Sequence, residues 1–95
     1  MEICAKVKLA LRISHNRLDG EIEDVIASGR QDIIRAGVAE SVANGSAELV
    51  ETALKTYALA YYAGATTEAE KYGESWRYQL DCIRKSTQIG GAANV

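Results

Sequence analysis

Ninety-five residues, with 47% apolar side chains and a formal charge of −2, describe one small globular domain rather than a multidomain or disordered chain. The slight negative charge excludes strong non-specific attraction to nucleic acid or to anionic membranes. No apolar run approaches the roughly 18–20 residues of a membrane span, and Met1–Lys8 alternates charged with apolar residues, unlike the core of a secretory signal.

Proline is absent, so nothing fixes φ or removes a backbone donor inside a helix, and long uninterrupted helices are favoured. The first expected helix places Ile3, Val7, Ala10 and Leu11 on one face and turns Lys6, Lys8 and Arg12 away. Ser14, His15 and Asn16, short or turn-prone polar residues, break it. A second helix starts near Leu18 and ends at Gly37, the residue expected to take the left-handed conformation after a helix. Its stripe is Leu18, Ile22, Val25, Ile26, Gly29 and Ile33. Asp19, Glu21, Glu23 and Asp24 crowd its first turns and Arg30 and Arg35 lie later, the order the helix dipole prefers. Gly29 sits within the stripe, where a missing side chain lets another helix come close.

Val38 to Gly45 reads as a loop, with Asn44-Gly45 as its turn signal. Ser46 is expected to cap a third helix over Ala47–Ala63, with Glu48 and Glu51 in its first turns and Gly64 at its end. Thr67 and Glu70 have the spacing of a capping box for a fourth helix, whose stripe is Ala69, Tyr72, Trp76, Leu80 and Ile83. The fold class is therefore all-α, a compact bundle of about four helices over residues 1–86. A glycine-rich flexible C-terminal tail is expected over 87–95.

Catalytic and metal-binding patterns do not emerge. His15 lies in a turn, with no nucleophile or orienting partner nominated beside it and no fellow ligands. The acidic cluster at Asp19–Asp24 lacks the alternation, central glycine and terminal bidentate Glu of a calcium loop. No glycine-rich phosphate loop opens a helix. Cys4 and Cys82, at opposite ends of the chain, suit small reduced hydrophobic residues better than a disulfide framework. The expectation is a protein with no catalytic residues, no cofactor and no metal.

A DNA-binding helix-turn-helix needs a tight turn and a basic second helix. The Gly37–Ser46 connection is too long for that, and the third helix carries only Lys55. In the fourth helix Lys71, Arg77, Arg84 and Lys85 interleave with Glu68, Glu70, Glu74 and Asp81. There Arg77–Asp81 and Asp81–Lys85 read as i,i+4 pairs on a solvated face.

Surplus apolar residues are the informative feature. On helical wheels Leu9, Ile34, Leu59, Tyr62 and Tyr78 fall away from the core stripes, as does Ala27. The run Tyr57–Ala63 is apolar around nearly its whole circumference, the pattern of a helix covered on all sides. In so short a chain this points to a second subunit, and Leu9, Ile34, Leu59, Tyr62 and Tyr78 are the candidate interface residues.

The stretch Val7–Gly37 contains Leu11-Arg12-Ile13, a polar spacer, an acidic pair before an isoleucine and a helix ending in Gly. Leu54-Lys55-Thr56-Tyr57 follows after a loop, and then Glu68–Tyr72 and Ser75–Leu80. Taken in this order, over roughly residues 5–86, the sequence resembles the small head–tail connector (adaptor) proteins of tailed bacteriophages. Each motif is a helix pattern rather than a chemical signature, so the ordered set carries the likeness. Gly29 and Gly73 depart from it, and the loop Val38–Ser46 has its own composition. The resemblance implies a subunit of a dodecameric neck ring that docks on the portal protein, extends the DNA channel and offers a platform to a stopper or tail-completion protein. Genomic DNA would pass through without specific binding. The location implied is the virion neck, and the host bacterial cytoplasm during assembly. The alternative from a different class is a small helical DNA-binding regulator.

Overall fold

The computed structural model describes residues 2–64 and 67–94, of which 87–94 are described by their backbone alone. The described residues form five helices and no strand: α1 (Ile3–Leu11), α2 (Asp19–Arg35), α3 (Glu40–Ala43), α4 (Glu48–Ala63) and α5 (Thr67–Asn94). The fold is all-α. The tail expected over 87–95 lies outside the residues whose side chains are described; the helical backbone of α5 runs to Asn94.

Helix ends follow local chemistry. Gly37 takes φ +104° after α2, its N–H bonded to the Ile34 carbonyl at 2.9 Å and that of Val38 to Ile33 at 3.4 Å. This is the paired termination of a left-handed cap, completed by the apolar contact that usually accompanies it, since Val38 and Ile33 are both buried in the core. The same pattern closes α1, but with Arg12 in the left-handed position at φ 60° and ψ 39°. The Arg12 N–H bonds to Leu9 at 3.1 Å and the Ile13 N–H to Lys8 at 2.9 Å. Gly64 ends α4 at φ 65° and ψ −143°, a combination open essentially to glycine.

Three local expectations are corrected. Ser46 does not cap α4: Ala47 occupies the cap position, and no side chain bonds the first turn there. Ser46 lies one residue too early to reach the free N–H groups. Similarly, Thr67 is the first residue within α5, one position past where a capping residue stands. The stretch Val38–Gly45 is not wholly loop, because residues 40–43 wind into α3. Ala43 and Val38 are buried, and Arg30 of α2 donates to the carbonyls of Ala43 at 2.7 Å and Gly45 at 3.0 Å. The cation thus meets carbonyls at the C-terminal end of α3 that the short helix itself leaves unpaired.

Helix α4 is central, packing against α1, α2 and α5, while α2 also meets α1 and α3. The core comprises Val7, Ile22, Val25, Ile26, Ile33, Val38, Ala43, Val50, Ala53, Leu54, Ala58 and Ile83. Leu18, Trp76 and Leu80 pack against it half-buried. Gly29 is the close-approach point: a Cβ there would stand 2.9 Å from Leu54 Cδ2 and 3.2 Å from the Tyr57 ring. The lysines of α1 are also placed differently from the wheel. Lys6 bonds the buried Glu51 of α4, and Lys8 pairs with Asp19 at 2.9 Å. Their long stems lie along the bundle while the charged ends bridge to neighbouring helices.

Candidate interaction surface

His15 is exposed in the α1–α2 turn, where its Nδ1 accepts the Arg17 N–H at 3.3 Å. Asp19, from the acidic cluster, is engaged with Lys8. Among the described residues no group of three or more His, Cys, Asp or Glu side chains converges as metal ligands would, and no helix is long and apolar enough to cross a membrane. Cys4 and Cys82 are half-buried and unpaired. Burial raises the Cys4 thiol, and the Asp19 carboxylate adds to that rise, so it is held in its protonated, poorly nucleophilic form.

The apolar surplus is real, but its membership changes. Leu9 and Tyr78 are indeed exposed, at 65% and 71% of their surface, and Tyr61 and Leu49 join them at 56% and 47%. Ile34 and Tyr62, expected opposite the core, are half-buried and pack against it. Leu59 is half-buried as well, lining a crevice with Leu11, Tyr62 and Tyr72. The wheel assumes one partner per helix, whereas α4 has three neighbours and α2 has three, so residues off the main stripe still meet protein. Burial pushes the Tyr62 hydroxyl up; the Glu21 carboxylate raises it further without making a hydrogen bond of normal geometry.

Sequence reasoning missed Tyr61 and Leu49. The all-apolar run of α4 contained the signal for Tyr61, but only the positions of the neighbouring helices decide which of its tyrosines remains open. Tyr61 stands edge-on to Tyr62, ring centroids 5.0 Å apart. Tyr57 is fixed on two sides: its hydroxyl and that of Ser28 lie 2.9 Å apart in a hydrogen bond, and its ring meets Trp76 at 4.9 Å. Gly29 leaves the space this ring occupies.

Two shallow clefts flank Tyr57 and Tyr61. One, of about 280 Å³ between α2 and α4, is lined by Glu21, Asp24, Val25 and Ser28 with the two tyrosines. The other, also about 280 Å³, lies between α4 and α5 and is lined by Ala60, Gly73 and Trp76 with the same tyrosines. The first has an acidic rim and an aromatic wall; the second is apolar and aromatic. The first thus offers charge and hydroxyl groups beside aromatic faces, and the second offers aromatic and aliphatic surface. Comparison with protein families, with curated proteins and with solved structures finds no match to the chain.

Proposed function

We propose that the chain is a structural subunit of a tailed-phage neck, forming a dodecameric ring that docks on the portal protein, extends the DNA channel and joins head to tail. The observation that carries this reading is the order in which the connector-like stretches fall on the helices. Leu11-Arg12-Ile13 closes α1, Gly37 closes α2, Leu54–Tyr57 lies mid-α4, and Glu68–Tyr72 with Ser75–Leu80 builds the first half of α5. Exposed Leu9, Leu49, Tyr61 and Tyr78 supply apolar contact area for neighbouring copies, the portal or a stopper protein. A ring needs head-to-tail interfaces that close by rotation, so different faces of one subunit must be adhesive. The formal charge of −2 suits a wall past which DNA slides without being held. The protein would work in the virion neck after assembly in the host cytoplasm.

The short α3 leaves a four-residue connection, Asn44 to Ala47, before α4. A one-turn helix followed by one that opens with Glu48 and Glu51 makes a poor groove reader, because both acids sit where the recognition helix of a helix-turn-helix meets DNA. The test is electron microscopy of portal rings from the same phage, with and without the purified chain. An added layer of density on the portal is expected. Portal rings that stay bare at saturating chain, together with sequence-specific nanomolar binding of duplex DNA, would establish the regulator instead.

A further inference from the structure

We propose that the paired clefts beside Tyr57 and Tyr61 are a docking site for an extended partner-protein segment carrying an arginine and, two residues along, a large apolar side chain. The assignment rests on charge and shape in the clefts and does not depend on the neck reading. On the α2 side Glu21 and Asp24, one helical turn apart, are exposed, and among the described residues neither is held in an ion pair. The tyrosine rings form the opposite wall. Carboxylates on one side and aromatic faces on the other suit a planar guanidinium, which stacks on the ring while donating two parallel hydrogen bonds to a carboxylate. A lysine ammonium fits less well, being a strongly hydrated point charge without that planar fork.

The volume of about 280 Å³ lies just below the roughly 300–1,000 Å³ of small-molecule pockets, so the cleft suits one long side chain. The neighbouring cleft, walled by Trp76, Tyr57, Tyr61, Ala60 and Gly73, presents almost no polar surface and suits a leucine-sized side chain. Both clefts share Tyr57 and Tyr61, so their two occupants would lie on either side of these rings. That matches alternate residues of an extended segment, roughly 6.5–7 Å apart along one face. The walls are preorganised by the Ser28–Tyr57 hydrogen bond and the Tyr57–Trp76 contact, which lowers the ordering cost of binding. Tyr61, 56% exposed, is the side chain such a segment would cover.

The probe is the peptide acetyl-Arg-Ala-Leu-amide, titrated into the isotopically labelled full chain and followed by NMR at the Tyr57, Tyr61 and Trp76 rings. Millimolar binding with shifts concentrated at these rings is expected. Citrulline in place of arginine, which keeps shape and removes charge, should weaken binding about tenfold. The double variant Glu21→Gln with Asp24→Asn, and separately Tyr61→Ala, should each cause a loss of similar size while leaving the thermal melt of these exposed positions nearly unchanged. Equal binding of the citrulline peptide overturns the proposal, as do shifts located elsewhere. Concentration-dependent broadening of the same rings without peptide overturns it too, by making a second copy of the chain the occupant.

Discussion

Arg12 occupies a backbone position that glycine fills at less cost. A left-handed conformation costs a non-glycine residue roughly 1–2 kcal/mol, partly offset by the entropy that a glycine loses on folding. Arg12→Gly is expected to stabilise the domain by up to about 1 kcal/mol, raising Tm by several degrees for a chain of this size. A lower Tm would mean that the arginine side chain contributes more than its backbone strain costs. Glu51 illustrates the opposite balance. Its hydrogen bond to Lys6 holds the carboxyl below the ordinary value of 4.5, against the opposing effect of burial. A carboxylate with a lowered folded pKa contributes stability that is fully present above 4.5 and is lost as pH falls through the folded pKa. Urea melts from pH 7 down to pH 3 should therefore show an acid-side loss that is smaller in Glu51→Gln, which has no carboxylate to protonate. An unchanged acid slope in that variant would assign the loss to other carboxylates.

At the scale of elements, α3 depends on a neighbour. A helix of four residues is far below the length that is stable in water by itself. Burial of Ala43 and the two hydrogen bonds from Arg30 hold it in place. Hydrogen bonds from a charged donor contribute roughly 1.5–3 kcal/mol each, so Arg30→Ala should open the 38–45 segment locally before it melts the bundle. Hydrogen exchange is expected to accelerate at Ala43 to Gly45 much more than at the α4 core positions Ala53 and Leu54. Uniform acceleration throughout would show that Arg30 supports the whole fold instead. Residues on α4 behave differently because that helix touches three others. Leu54 is completely buried, and the Tyr57 ring, 3.2 Å from where a Cβ at Gly29 would stand, is held by Ser28 and Trp76. Extra volume at Gly29 must therefore shift two side chains at once, a strain typically of 1–3 kcal/mol.

At the scale of the molecule, folding and the proposed ring assembly would draw on different residues. Truncating buried Leu54 or Ile83 to Ala should cost about 2–5 kcal/mol of stability. Leu9→Ala and Tyr78→Ala, on exposed side chains, should change it by less than about 0.5 kcal/mol and should weaken assembly instead, since an interface anchor can carry 2 kcal/mol or more. Ile34→Ala and Tyr62→Ala should fall between, because both side chains touch the core. Melts of the isolated chain, set beside mass measurements of the assembly, separate the three groups. Assembly that survives loss of both Leu9 and Tyr78 would move the interface elsewhere.

The helices and their inward stripes were legible in the residues because they are local properties. The period of Leu18, Ile22, Val25, Ile26, Gly29 and Ile33 alone predicts which face of α2 turns inward. Gly37 and Gly64 mark stops that only a left-handed or glycine-like backbone satisfies. Gly29 could be recognised as a contact point, since a glycine inside an apolar stripe has little other use. The open surface was legible only in part, at Leu9 and Tyr78. Ile34, Leu59 and Tyr62 look alike with Tyr61 and Leu49 on paper, and their exposure depends on where α1, α3 and α5 lie around α2 and α4. The α3 turn was hidden for the same reason, its support coming from Arg30, more than a dozen residues earlier. Periodicity and backbone chemistry, acting within a few residues, thus determined an all-helical chain with its core-facing positions. The packing of distant segments, which no local pattern encodes, decided that Tyr57 and Tyr61 would stand between an acidic cleft and an apolar one.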